Sequence, residues 1–246
     1  MADPVLPAKP AATVMLLRDA DTAEGIEVFM LRRTKAAAFA GGMYVFPGGK
    51  VEEADGDGDD GYAIAAIREC YEEAGVLLAT DADGRMVADG HPALSHRQAV
   101  YDGTIDLRQL CAQHGLTPAL DRLVWISHWI TPVGEAPRRF DTRFFVAAAP
   151  PGQSSHHDDN ETIASEWVGP RDALGRHERR ELTMMPPTIK NLEFVAAHLD
   201  SASVIAAARQ LARPTAILPR LRLDAEGRIR GVSLPGDDDF DDLSDE

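Results

Sequence analysis

Cysteine is scarce in this sequence of 246 residues, which contains only Cys70 and Cys111. Two cysteines cannot form the disulfide network of a small secreted scaffold, so that class of protein is excluded. No stretch approaches the ~18 consecutive apolar residues of a membrane-spanning helix, and the start of the chain lacks the basic and apolar regions of a signal peptide. We therefore expect a cytoplasmic protein with reduced thiols and no membrane partner.

Basic residues are also scarce. The chain has 25 Lys and Arg residues but 40 Asp and Glu residues, which gives a formal net charge of −15 at pH 7. Proteins that bind nucleic acid present a basic surface, so a nucleic-acid partner is not expected. An acidic protein still binds an anionic small molecule when metal ions mediate the contact. Seven of the acids fall within residues 236–246. We expect this segment to be a disordered acidic tail.

The remaining composition, 44% hydrophobic and 26% charged, is that of a globular protein. Residues 1–10 contain three prolines and are expected to form a flexible lead-in, followed by a single domain over residues 11–235. Apolar runs and helical spacing predict the main elements. These are an N-terminal hairpin (12–17 and 28–31), a helix over 62–78, a helical insertion over about 93–122, one or two helices within 186–212 and a terminal hairpin within 214–235.

The predicted helix over 62–78 carries three acids, Glu69, Glu72 and Glu73. Positions i, i+3 and i+4 share one face of a helix, so the three carboxylates are expected to lie side by side. Their mutual repulsion is relieved when they bind a cation, and carboxylate oxygens suit Mg²⁺ or Mn²⁺. On spacing alone, a solvated acidic helix face explains the pattern equally well.

Two segments together resemble the signature of the Nudix hydrolase family. The sequence Phe-Pro-Gly-Gly occupies residues 46–49, and Arg-Glu-Cys-Tyr-Glu-Glu-Ala-Gly-Val occupies residues 68–76. The second segment matches the family pattern Arg-Glu-apolar-x-Glu-Glu-x-Gly-apolar position by position. This resemblance favours a metal-binding role for the acidic helix over a solvated face.

The first half of the signature departs from the family pattern. Asp60 stands where the family has Glu, and Ala54 stands where it has Gly. We infer an insertion between the glycine turn and the acidic helix. The acid that pairs with Arg68 is then Asp55, Asp60 or Glu53.

Further blocks resemble the peroxisomal-type coenzyme A diphosphatase branch of the Nudix family. They are residues 110–112, 129–132 and 138–145. The resemblance implies an α/β Nudix fold, with a mixed β-sheet sandwiched between α-helices and an α-helical insertion. It also implies hydrolysis of the diphosphate in a nucleoside diphosphate linked to another moiety. The expected substrate is coenzyme A or acyl-CoA, cleaved to phosphopantetheine and adenosine 3′,5′-bisphosphate.

Two other functions stay open at this point. One is an ADP-ribose or NADH pyrophosphatase, and the other is a non-catalytic nucleotide-sensing Nudix domain. Arg33 matches part of the general coenzyme A motif, whereas Ala38 stands where that motif has Arg. The sequence also leaves open whether the chain forms a homodimer.

The resemblance assigns a role to each candidate site residue. Glu69, Glu72, Glu73 and Gly49 are expected to bind Mg²⁺ or Mn²⁺, and Arg68 is expected to orient Glu69 or Glu72. The expected substrate-binding residues are Arg33, Gly48, Gly49 and Arg139. Either Glu69 or Glu161 would accept the proton of the attacking water, and Glu166 is a weaker competitor of Glu161 because it adjoins Trp167 in a predicted strand.

Overall fold

The computed structural model describes residues 7–34, 40–135, 138–155 and 162–243. The strands in the first half are β1 (Lys9–Asp19), β2 (Ile26–Arg33), β3 (Tyr44–Val45), β4 (Gly48–Lys50), β5 (Ala79–Thr80) and β6 (Thr117–Pro118). Those in the second half are β7 (Val124–Ile130), β8 (Phe140–Ala148), β9 (Thr162–Val168), β10 (Ala216–Ile217), β11 (Arg220–Leu223) and β12 (Ile229–Ser233). The α-helices are α1 (Gly58–Ala74), α2 (Arg97–Tyr101), α3 (Leu107–Gln113), α4 (Pro170–Glu178), α5 (Pro186–Ala196) and α6 (Ser201–Gln210). Short 3₁₀ turns occur at Glu53–Asp55, Pro92–His96 and Leu120–Arg122.

An eight-stranded mixed sheet forms the centre of the molecule, with a main path of β10-β7-β8-β1-β2-β3. β1 pairs with β8 in parallel, from Lys9 to Leu17. The other edge of β1 is shared, because β4 pairs with its first half and β2 with its last residues, both antiparallel. Strands β2 and β4 therefore separate near the middle of β1, and β4 is the strand that carries the glycine pair.

Alternation along β1 explains why both faces of the sheet are covered by helices. Ala12, Val14 and Leu16 belong to one buried cluster, which includes the apolar faces of α1, α2 and α3. Met15 and Leu17 belong to a second buried cluster, to which α4, α5 and α6 contribute. Because successive side chains of a strand point to opposite faces, an uninterrupted apolar strand needs a layer on each side. The predicted α/β sandwich is confirmed.

Helix α1 differs from the prediction at both ends. It begins at Gly58, four residues earlier than expected, and ends at Ala74. Gly75 adopts a left-handed conformation with a φ of 72° and donates its N–H to the carbonyl of Tyr71. Glycine takes this conformation without steric cost, so the chain leaves the helix before residues 76–78.

The two ends of the chain also differ from expectation where the structure describes them. β1 begins at Lys9, inside the expected lead-in, because Lys9 N–H donates to the carbonyl of Arg139 at the start of the β1–β8 pairing. In the expected disordered tail, Asp237 and Asp239 accept hydrogen bonds from Arg222 on β11, at 3.2 and 2.6 Å. Residues 236–243 are therefore held in turns against the terminal hairpin by ion pairs that sequence charge alone does not reveal. Among the described helices, none has the length and apolar character needed to cross a lipid bilayer.

Candidate active site

Arg68 is the centre of the candidate site, and Asp55 is its partner. Arg68 Nε lies 3.0 Å from Asp55 Oδ1, and Arg68 Nη2 lies 3.0 Å from Asp55 Oδ2. Both side chains are buried, whereas Glu53 and Asp60 are exposed. The structure thus selects Asp55 among the three acids that the sequence left open. Asp55 ends the 3₁₀ turn Glu53–Asp55, in the segment that we inferred to be an insertion.

The remaining donor group of Arg68 faces the acids of its own helix. Arg68 Nη1 lies 3.0 Å from Glu69 Oε1 and 3.2 Å from Glu72 Oε2. One guanidinium nitrogen therefore brings two carboxylates together, while Arg68 Nη2 also donates to the carbonyl of Lys50 at 2.7 Å. These charge-assisted bonds hold both acids in defined orientations.

The charges of this cluster alter the pKa values of its members. Burial by itself lowers the pKa of Arg68, but the hydrogen bond to Asp55 and the charges of Glu69 and Glu72 raise it above its ordinary value. Burial raises the pKa of Glu72 above its ordinary value, and Arg68 opposes that effect only in part. The cluster therefore holds partly desolvated negative charge that a single arginine does not fully neutralise.

Glu73 is directed toward strand β4 rather than toward Arg68. Its Oε2 accepts a hydrogen bond of 2.9 Å from the backbone N–H of Gly48, and its Oε1 lies 3.8 Å from Arg33 Nη1. Glu73 is buried, at 5% exposure. It therefore links α1 to the glycine pair and to the cation at the end of β2.

Neighbouring atoms lie so close to residues 48 and 49 that only glycine fits at these positions without displacing them. A Cβ placed on Gly49 would lie 2.4 Å from Glu69 Oε1, and a Cβ on Gly48 would lie 2.3 Å from Thr13 Oγ1 and 2.6 Å from the carbonyl oxygen of Ala12. Contacts this short do not occur between real atoms, so a larger residue forces its neighbour to move. Glycine at these two positions allows α1 and β1 to pack directly against β4.

The acids fit a hard divalent cation in their chemistry. Glu69 and Glu72 converge on one cationic atom, and carboxylate oxygens are the ligands that Mg²⁺ and Mn²⁺ prefer. The expected third ligand, Glu73, is instead bonded to Gly48. Accordingly, no group of three or more His, Cys, Asp or Glu residues within the described ranges has a metal-binding arrangement. The assignment of all three acids as ligands stays a prediction.

A cleft opens next to this acidic site. Arg33 and Gly48 line the cleft, and both also contact Glu73. Most of the other lining side chains are apolar, and they include Phe46, Trp129, Ile130, Pro132, Phe140, Phe144, Met185, Pro186, Pro187 and Val232. A cleft lined mainly by apolar side chains with a few polar groups is typical of small-molecule sites. The acidic helix and the cleft therefore meet at Gly48.

The other predicted residues have varied positions. Arg139 Nε donates to the carbonyl of Thr131, a cleft residue, at 2.9 Å. Glu166 lies within β9, where Arg176 binds both of its carboxylate oxygens at 2.9 and 3.1 Å. Glu161 and Ala38 lie outside the described residues.

Glu135 also lines the cleft, and no sequence motif had marked it as a site residue. Burial raises the pKa of its carboxyl above the ordinary value. Glu135 lies three residues after the matching block at residues 129–132, and this proximity was its signal in the sequence.

Comparison with known proteins agrees with this architecture. The acyl-coenzyme A diphosphatase NUDT19 of Gallus gallus is 27% identical over 275 residues, which cover 86% of this chain and 72% of the relative. Its Homo sapiens counterpart is 27% identical over 274 residues, covering 88% and 72%. The crystal structure of a NUDIX hydrolase from Alicyclobacillus acidocaldarius superimposes with a TM-score of 0.73 at 28% identity, covering 84% of this chain and 97% of that one.

Two protein-family models match the chain. The general NUDIX domain matches residues 7–100, which include β1, β4 and α1. The NUDT19 Nudix domain matches residues 57–195, more than half of the chain, from the start of α1 to α5. The resemblance inferred from the sequence motifs is therefore confirmed, and this protein belongs to the Nudix hydrolase family.

Proposed function

We propose that this protein is a metal-dependent diphosphatase that cleaves coenzyme A or acyl-CoA into 4′-phosphopantetheine, or its acylated form, and adenosine 3′,5′-bisphosphate. The observation that carries the proposal is the convergence of Glu69 and Glu72 on Arg68 beside a mainly apolar cleft. The NUDT19 relatives named as acyl-coenzyme A diphosphatases support this choice of substrate. An apolar cleft also suits a pantetheine or acyl chain better than the second sugar of ADP-ribose.

Nudix hydrolases generally use a divalent metal ion. Glu69 and Glu72 would hold Mg²⁺ or Mn²⁺, with Glu73 and the backbone of Gly49 as further candidate ligands. Such an ion would supply positive charge for the diphosphate oxygens and would lower the pKa of a coordinated water.

The chain's own residues prepare the site for this chemistry. Asp55 fixes Arg68, and Arg68 keeps the carboxylates of Glu69 and Glu72 oriented. Little reorganisation of these acids is therefore needed during the reaction. Arg33 lies between Glu73 and the cleft, where its charge favours a phosphate oxygen of the substrate. Arg139 is proposed to contact an anionic group of the nucleotide from the wall at Thr131. Glu69 or Glu161 would accept the proton of the attacking water.

A turnover screen tests the proposal. The purified chain would be incubated with Mg²⁺ or Mn²⁺ and with coenzyme A, butyryl-CoA, ADP-ribose or NADH, and the products would be separated by chromatography. We expect cleavage of both coenzyme A compounds and its loss in EDTA. Cleavage of ADP-ribose or NADH alone would contradict the substrate assignment, and binding without cleavage of any diphosphate would support a nucleotide sensor.

Matched variants test the residues. Glu72→Gln should lower kcat by at least about 100-fold because it removes an anionic ligand. The control Glu53→Gln changes an exposed acid in the 3₁₀ turn before α1 and should retain full activity. Glu72→Gln activity at the level of Glu53→Gln would contradict the assignment.

Glu73→Gln separates two roles of Glu73. Glutamine keeps an oxygen that can accept the N–H of Gly48, but it loses the negative charge of a metal ligand. Loss of activity with an unchanged free energy of unfolding would identify Glu73 as a ligand. Retained activity would restrict Glu73 to bracing β4.

A further inference from the structure

The cleft next to Gly48 is electrostatically asymmetric. Arg33 lies at the end that contacts Glu73, and it supplies positive charge next to the acidic helix. Glu135 lines the same cleft, but within the described residues its carboxylate has no hydrogen bond or ion pair. The cleft thus combines a cation near the reaction site with an unpaired acid among mainly apolar side chains.

The turn between β7 and β8 places Glu135 in the cleft wall. In this turn, Gly134 has a φ of 85°. A Cβ added to Gly134 would lie 3.4 Å from Leu221 Cδ1 of β11, so the turn packs closely against that strand. Thr131, Pro132 and Phe140, on either side of this turn, also line the cleft. Burial raises the pKa of Glu135, and no charge of a described residue contributes to this shift.

Helix α5 begins at the cleft wall with two residues that have no backbone N–H. Its first residues, Pro186 and Pro187, line the cleft and occupy the first helical positions. The N-terminus of a helix binds anions through free backbone N–H groups, and proline has none. The two prolines therefore remove two of the backbone donors that a helix N-terminus would otherwise offer to a phosphate or carboxylate, and Thr188, the next residue, also lines the cleft.

We propose that Glu135 is a specificity-determining residue, which makes the cleft accept the uncharged arm of the substrate and reject an arm that carries a carboxylate or phosphate. The inference rests on the proposed function, because the diphosphate must lie at Glu69 and Glu72 for one arm to reach the cleft. The accepted ligand is a mainly apolar chain with amide or hydroxyl groups, whose N–H or O–H donates to Glu135. A carboxylate in the same place meets like charge in a site of reduced dielectric.

The test compares butyryl-CoA with succinyl-CoA, whose acyl groups have the same number of carbons but differ by a terminal carboxylate. We expect the wild-type kcat/KM to favour butyryl-CoA by about tenfold or more, mainly through KM. Glu135→Gln should reduce this preference to within about threefold, and Glu135→Lys should reverse it. Glu226→Gln, an exposed acid in the β11–β12 turn, is the control and should retain the wild-type preference.

A binding experiment separates failure of this inference from failure of the proposed function. Isothermal titration calorimetry would compare S-butyryl-pantetheine with S-succinyl-pantetheine, which contain no diphosphate and need no turnover. The same preference, lost in Glu135→Gln, would support the inference even if coenzyme A were not cleaved. Equal kcat/KM values for the two thioesters in the wild type, or a preference unchanged in both Glu135 variants, would overturn it while leaving the diphosphatase activity established.

Discussion

The Arg68 side chain contributes both to the stability of the fold and to the orientation of the acids in the candidate site. Two of its nitrogens are bonded to the buried Asp55, and its third nitrogen faces Glu69 and Glu72. A buried ion pair contributes little net stability as a whole, but removing one partner leaves an uncompensated charge. Asp55 therefore influences the site without facing it, since it fixes the arginine that orients the acids.

The first prediction concerns this pair. Asp55→Ala should lower the free energy of unfolding by about 3–5 kcal/mol, because it leaves the Arg68 guanidinium buried without its bidentate partner. Urea titration followed by circular dichroism measures the change. Asp60→Asn, which changes an exposed acid in the first turn of α1, should alter the free energy of unfolding by under about 0.5 kcal/mol. Equal effects of the two substitutions would show that Arg68 does not depend on Asp55.

At the scale of elements, the candidate site lies where α1, β1 and β4 pack against one another. Gly48 approaches the backbone of β1, whereas the atoms nearest to a Cβ on Gly49 are those of the Glu69 carboxylate. Backbone cannot yield without disturbing the sheet, but a flexible side chain can rotate away. The same substitution in neighbouring residues should therefore have different consequences.

The second prediction follows from this contrast. Gly49→Ala should leave the free energy of unfolding nearly unchanged but reduce kcat by at least about tenfold, because it displaces the Glu69 carboxylate. Gly48→Ala should instead destabilise the fold by about 1–3 kcal/mol, because it overpacks the contact with Ala12 and Thr13. Thermal unfolding and kinetics on coenzyme A distinguish the outcomes. A large loss of stability in Gly49→Ala would contradict the proposed packing.

Helix α4 is capped by a residue from the opposite part of the sequence. Glu24, in the turn between β1 and β2, accepts the backbone N–H groups of Arg171 and Asp172 at 2.8 and 2.9 Å. The N-cap residue of this helix is Gly169, which has no side chain to provide these bonds. A carboxylate at a helix N-terminus also interacts favourably with the helix dipole.

The third prediction is that Glu24→Ala lowers the free energy of unfolding by about 1 kcal/mol, through the loss of this cap. Chemical denaturation monitored by tryptophan fluorescence provides the measurement. Asp21→Ala, an exposed acid in the same turn, is the matched control and should have a negligible effect. A change of similar size in both variants would argue against capping by Glu24.

At the scale of the whole molecule, the sheet separates two cores, and both cysteines lie in the core that includes α1 and α3. Cys70 and Cys111 have exposures of 0% and 1%. Burial raises the pKa of the Cys111 thiol to about 11 and that of Cys70 further above its ordinary value. Since the thiolate is the reactive form, both groups are protected by access and by protonation.

The fourth prediction is that neither thiol reacts appreciably with a disulfide reagent such as DTNB at pH 8 while the protein is folded. The raised thiol pKa leaves only a very small thiolate fraction at pH 8, although this fraction rises about tenfold from pH 7, so we expect little labelling at either pH. Both thiols should react rapidly in urea, and the less stable Asp55→Ala should react faster than the wild type in water. Fast labelling of the native wild type would show that this core opens locally.

The elements and the chemical class of the protein are determined by the sequence, because their signals lie within short windows. The apolar run of β1, the helical spacing of α1 and the motif at 68–76 each concern neighbouring residues, and each agrees with the structure. The choice of Asp55 for Arg68, the bond between Glu73 and Gly48 and the cap from Glu24 join residues 13, 25 and about 150 positions apart. Glu135 likewise reaches the cleft only because β7 and β8 are paired beside α5. Only the tertiary structure decides these pairings, since charge and burial select a partner from the groups that the folded chain brings within reach.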